Sequence, residues 1–159
     1  MDLTPDWEYV ADTVMGGASA GQIAREVVAG RQAMRLTGQV SLENNGGFIQ
    51  MASDLSSDMG AGGLLDASGW DGIEIAILGN GATYEVRLRT DALTRPWQSF
   101  RAEVTAAPDW QTLRLPWSAF EPHRTDAAFD PARLRRIGVL AIGSRMQADI
   151  SVAFLGLFR

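Results

Sequence analysis

The chain has 159 residues, 46% hydrophobic and 21% charged, with a formal net charge of −5. That fits one globular domain over residues 1–159 with a sizeable core and excludes a disordered chain. The acidity disfavours nucleic acid, and no run of basic residues marks the sequence for anionic lipid.

Two residue types are missing. Without Cys there are no disulfides, thiol nucleophiles or thiolate metal sites. All 14 basic residues are Arg, which removes Schiff-base chemistry and the lysine of a phosphate loop, a bias that a GC-rich genome explains. No apolar run reaches the ~18 residues of a transmembrane segment. The start, MDLTPDWEYV, is acidic and has no apolar stretch, so it does not read as a signal peptide, and a cytoplasmic protein is expected.

Period-two alternation runs through the chain and predicts some ten short strands. Trp7–Ala11 is followed by DTVMGGAS, Asp12–Ser19, and then by Ile23–Ala29. Met34, Leu36, Gly38, Val40 and Leu42 alternate with polar residues up to the Asn44-Asn45-Gly46-Gly47 turn, after which Phe48–Ala52 is extended. Asp54–Gly69, rich in Gly, Ser and Asp, reads as a long surface loop. Ile73, Ile75 and Ile77 form the next strand. Gly79-Asn80-Gly81 then reads as a tight hairpin into Tyr84, Val86 and Leu88. Phe100, Ala102 and Val104 alternate with polar residues up to Pro108-Asp109, which reads as another hairpin closure before Thr112–Leu115. Asp130 as N-cap and Pro131 at the first position predict a short helix through Ala132 to Arg136. Ile137–Ile142 and Ile150–Phe154 complete the set. So many short strands with almost no helix indicate an all-β sandwich or barrel.

The chemistry-bearing residues are sparse. Met15-Gly16-Gly17 lacks the lysine and the following helix of a phosphate loop, and the Gly16, Gly17, Gly21 spacing is not a dinucleotide fingerprint. It reads as a glycine turn between strands. His123 is the only histidine, too few for a zinc site, and it reads as a solvated loop residue. Asp54, Asp58, Asp66 and Asp71 offer the paired carboxylates of a glycoside hydrolase or a Ca²⁺ site, but without specific spacing. No catalytic residue, metal site or cofactor emerges, and the chain reads as a non-enzyme. Of the five Trp residues, Trp110 and Trp117, with Phe120, read as core plugs. Tyr84, Arg87, Arg89, Trp97 and Gln98 form a candidate face for a glycan or other small ligand.

Several segments together resemble the complex I intermediate-associated protein family, the assembly factors of NADH:ubiquinone oxidoreductase. They are Trp7 with Asp12–Ser19; Leu36–Phe48, LTGQVSLENNGGF; Trp70-Asp71-Gly72-Ile73 with Gly79–Tyr84; and Trp110–Pro116 with Phe120. Family members commonly carry an Arg soon after Gly-Gly-Phe, where this chain has Ile49-Gln50-Met51-Ala52-Ser53. The resemblance implies a galactose-binding-like jelly-roll β-sandwich. It also implies a role in protein assembly, with complex I subunits or intermediates as partners, and a stand-alone domain of the bacterial type. Asp12–Ser19 would then be a structural turn on the rim, near Asn44–Phe48. The binding candidates on that rim are Asp12, Met15, Ser19, Asn44 and Asn45.

Overall fold

The computed structural model describes residues 1–55 and 63–159 as two antiparallel sheets. The strands are β1 (Glu8–Ala11), β2 (Ala20–Val28), β3 (Arg31–Val40), β4 (Phe48–Asp54), β5 (Gly72–Gly79), β6 (Thr83–Thr90), β7 (Ser99–Thr105), β8 (Gln111–Pro116), β9 (Glu121–His123), β10 (Leu134–Ile142) and β11 (Met146–Phe158). One sheet has the order β1-β4-β10-β6-β7-β9 and the other β2-β3-β11-β5-β8. Successive strands mostly alternate between the sheets, which makes the domain a jelly-roll β-sandwich.

Alternation dictates the layering. Ile73, Ile75 and Ile77 of β5 and Ile150 and Val152 of β11 meet Ile49, Met51, Val86, Leu88, Ile137 and Val139 from the facing sheet, all essentially inaccessible. Each such side chain contributes roughly 1.5–3 kcal/mol by leaving water. Their polar neighbours on each strand point outward.

Four expectations change. Gly79-Asn80-Gly81 is not a hairpin: β5 and β6 lie in different sheets, so the turn is an arch. Tyr84 explains why. Its hydroxyl bonds Asn80 Oδ1 at 2.6 Å and receives the Asp149 amide at 2.9 Å, tying the arch to β11. Pro108-Asp109 likewise carries the chain from β7 to β8 across the sandwich. The helix after Asp130 is one 3-10 turn, Pro131–Arg133. Asp130 does cap it, accepting the Ala132 amide at 2.9 Å, but Leu134 must enter the core as the first residue of β10. Finally, the ends of the Asp54–Gly69 stretch are not free surface. Leu55 and Ala67 are buried, and Leu65 bridges to Leu134. Residues 56–62, with Asp58, lie outside the described residues.

The five-stranded sheet carries a strap. The tip of the β2–β3 hairpin reaches the opposite edge of that sheet, where Trp110 Nε1 donates to the Val28 carbonyl at 2.9 Å. The Arg31 guanidinium sits 5.1 Å over the same ring. Ala76 and Ser151 alternate outward yet are buried. Trp110 is therefore a half-buried anchor rather than a core plug, whereas Phe120 is buried and Trp117 packs against the core, its indole N–H donating to the Trp70 carbonyl.

Candidate functional site

Two regions gather the sequence candidates. The first is the rim where β1 leads into the 3-10 turn Asp12–Met15 and β3 leads into the turn at Glu43–Asn45. Asp12 is fully buried. Its Oδ1 accepts the Ser19 amide at 3.0 Å, and its Oδ2 accepts the Ser19 hydroxyl at 2.5 Å and the amides of Gly47 and Phe48 at 2.6 and 3.2 Å. One carboxylate thus joins the starts of β2 and β4. Burial pushes the Asp12 carboxyl up. The Ser19 hydroxyl and the amides of Gly47, Phe48 and Ser19 outweigh that and hold it below the usual carboxylate range. A buried charge is tolerable because both of its oxygens are bonded.

The glycines of this rim serve the carboxylate. Gly16 closes the 3-10 turn with φ of 87°. A Cβ on Gly17 would lie 2.5 Å from Asp12 Cγ, and one on Gly46 would lie 2.5 Å from Asp12 Oδ2. The motif DTVMGGAS is therefore a clasp around its own Asp, not a phosphate cradle. The clasp leaves Val14, Met15 and Leu42 at 74%, 61% and 44% exposure. Asn44 is exposed on the second turn with φ of 56°.

The second region is the outer face of the six-stranded sheet. Arg87 and Arg89 alternate outward on β6, while Tyr84 alternates inward and is buried, so Tyr84 leaves the proposed face. Arg87 pairs with Glu85 at 2.8 Å, and Glu85 also reaches Arg101 at 3.6 Å. Arg136 bonds Asp54 at 2.8 Å and also pairs with Glu8. Between these pairs Ala52 and Gly138 lie in register and are buried, with the Gln50 side-chain amide over Gly138.

Arg89 and Gln98 are already engaged. Arg89 Nη1 donates to the carbonyls of Arg95, Pro96 and Gln98 at 2.9, 3.2 and 2.7 Å. Gln98 Oε1 accepts the amides of Thr94 and Arg95, both at 3.1 Å. Together they fold the β6–β7 loop and hold up Trp97, which is 54% exposed. His123 is not a solvated loop residue. It ends β9, a three-residue strand too short for alternation to reveal.

Among the described residues no cluster of His, Cys, Asp or Glu is arranged to hold a metal ion, and no helix is long and apolar enough to cross a membrane.

The fold is similar to solved carbohydrate-binding modules. One is a family 11 module from Clostridium thermocellum in complex with a β-1,3-1,4-mixed-linked tetrasaccharide, at TM-score 0.74 and 13% identity, covering 99% of this chain and 93% of that one. Another is a family 30 module, at TM-score 0.67 and 14% identity, covering 100% and 86%. At such identity the likeness shows the fold alone. Among curated proteins none matches this sequence. The family model described as Complex I intermediate-associated protein 30 (CIA30) matches residues 2–152, and the rim built by Asp12, Gly17, Ser19, Gly46 and Gly47 lies within that match. This chain therefore belongs to the CIA30 family.

Proposed function

We propose that this chain is a non-enzymatic binding module that engages a protein partner through the Asp12 rim, acting as an assembly factor for complex I intermediates, with a cytoplasmic site of action. The observation that carries the reading is the clasp with its exposed apolar residues. A buried, four-fold bonded carboxylate fixes two turns, and those turns present Val14, Met15 and Leu42 to solvent. Exposed apolar side chains on a rigid frame cost little entropy to dock and gain by burial. In this reading Asp12 and Ser19 position the turns, and Met15, Asn44 and Asn45 meet the partner. The test is affinity capture of the tagged protein from its native cells, with mass spectrometry of solubilised membranes. Complex I subunits are expected in the eluate, and a Met15→Asp, Leu42→Asp double variant with unchanged melting is expected to lose them. Equal capture by parent and variant, or no capture by a folded parent, overturns it.

A second reading is favoured by one feature. Trp97 stands exposed in the β6–β7 loop with the Arg95 guanidinium 5.9 Å over its ring, and an exposed indole beside a cation suits a small ligand or glycan. Titration of a glycan panel followed by intrinsic Trp fluorescence tests it, and a flat response removes it.

A further inference from the structure

The outer face of β6, β7 and β9 holds a set of cationic and hydroxyl groups without acidic partners, which the sequence alone scatters. Ser99 stands opposite His123 across β7 and β9, and Arg101 stands opposite Glu121 on one side and Arg87 on the other. Leu88 pairs with Phe100, so Arg89 and Ser99, one step along each strand, lie next to one another on the outward side. The row Arg89, Ser99, His123 contains no acid. Arg124 follows His123 directly, and its carbonyl accepts Gln98 Nε2 at 3.2 Å, which holds that turn beside the loop folded on Arg89.

Three features mark this row as more than a polar surface. Ser99 is 3% exposed, and its hydroxyl has no hydrogen-bond partner. A buried, unbonded hydroxyl is costly unless something completes it. Among the described residues Arg89, His123 and Arg124 have no carboxylate partner. Arg89 spends its Nη1 on carbonyls, but its Nε makes no bond. Like charges also stand in register at Arg87–Arg101 and Arg89–Arg136, and of these four only Arg89 has no carboxylate: Glu85 bridges Arg87 and Arg101, and Asp54 and Glu8 hold Arg136.

We propose that Ser99, His123, Arg89 and Arg124, bordered by Arg101, form a binding site for the oxyanion of a small molecule, a carboxylate or a phosphate monoester. The Ser99 hydroxyl, an imidazole N–H and guanidinium N–H groups are all donors, the set an oxyanion requires. The nearby acids lie one row away or further: Glu85 pairs with Arg87 and Arg101, and Glu121 stands opposite Arg101 in register. The site lies at the end of the sheet opposite the Asp12 rim and does not depend on a partner there.

The site carries its own reporter. Burial, with the charges of Arg101, Arg87 and Arg124, holds His123 below the usual imidazole range, against the weaker pull of Glu85. The free protein therefore keeps it neutral near pH 7. A bound anion favours the imidazolium, so binding and proton uptake reinforce one another.

The chain has a single histidine, so its imidazole NMR signal is unambiguous. The protein is titrated with inorganic phosphate and separately with acetate, each against sodium chloride at matched ionic strength. Saturable movement of the His123 signal is expected, with its pKa raised by about one unit. A stronger response to phosphate assigns a phosphate ester, and a stronger response to acetate assigns a carboxylate. Ser99→Ala and Arg124→Gln are each expected to weaken binding about 5- to 10-fold with unchanged melting. The proposal is overturned by a response no different from chloride, or by both variants titrating like the parent.

Discussion

Asp12 Oδ2 lies 2.5 Å from Ser19 Oγ and 2.6 Å from the Gly47 amide, so one buried oxygen ties together turns whose residues are up to 35 positions apart. Removing the carboxylate would strand the amides of Ser19, Gly47 and Phe48 in the interior. Asp12→Ala is therefore expected to cost roughly 3 kcal/mol or more, measured by urea unfolding. Ser19→Ala, which removes one of the four bonds and also the acceptor of the Ser41 amide, is expected to cost about 1–3 kcal/mol.

The same carboxylate makes stability depend on pH. Its folded pKa lies below the usual 3.8, so the unfolded chain takes up the proton first as pH falls. The contribution of Asp12 is therefore complete above the unfolded value and is lost as pH falls through the folded one. Urea midpoints of the parent and of Asp12→Asn, compared from pH 7 downward, are expected to converge below about pH 4. A gap that stays constant through the acid range contradicts this assignment.

Gly17 and Gly46 are predicted to be intolerant for a reason separate from backbone freedom. A methyl group at either would overlap Asp12, whereas one at Gly16 would meet open space and suffer only the positive φ. Gly17→Ala and Gly46→Ala should each cost about 2–4 kcal/mol, and Gly16→Ala about 1 kcal/mol. In an Asp12→Ala background the first two penalties should shrink, because the overlapping atoms are gone. Additive penalties in that double-variant comparison would place the strain elsewhere.

Arg89 folds the β6–β7 loop with a single planar fork. Arg89→Lys is expected to fail as a conservative change, since one ammonium cannot reach the three carbonyls that Nη1 serves while its sister nitrogen approaches Leu93. Hydrogen exchange should accelerate at the Gln98 amide in Arg89→Lys, and at the Thr94 and Arg95 amides in Gln98→Ala, while the core strands keep their protection.

Trp110 pins the strap. Trp110→Phe keeps a ring for Arg31 but removes the donor to Val28, at a cost of about 1 kcal/mol. The local readout is faster exchange at the β2–β3 tip. If exchange there is unchanged, the indole N–H does not hold the hairpin.

Much of the fold is legible in the sequence because alternation is a local signal. Each stretch such as Ile73–Ile77 or Tyr84–Leu88 shows its two faces without reference to a partner. The Asp130 cap is legible for the same reason, since its bond spans two residues. The extended segment beyond that cap is not: Leu134 to Arg136 have acceptable helical propensity, and only their pairing with β4 and β6 makes them a strand. Grouping Tyr84 with Arg87 and Gln98 by chemical type ignores parity, which puts Tyr84 on the face opposite Arg87. His123 escapes a sequence reading because three residues give no period.

The sequence by itself determined an all-β chain, most of its strand positions, the absence of thiol and lysine chemistry, and the two motifs that carry the family. All of these depend on residue type and short spacing. The tertiary structure alone decided which strands share a sheet, that Gly79–Gly81 arches rather than turns back, that Asp12 is the buried tie between two turns, and that Arg89, Ser99 and His123 share one row of a sheet. Those facts depend on hydrogen bonds and registers between residues 9 to 118 positions apart, and long-range pairing leaves no mark in the local pattern of a chain.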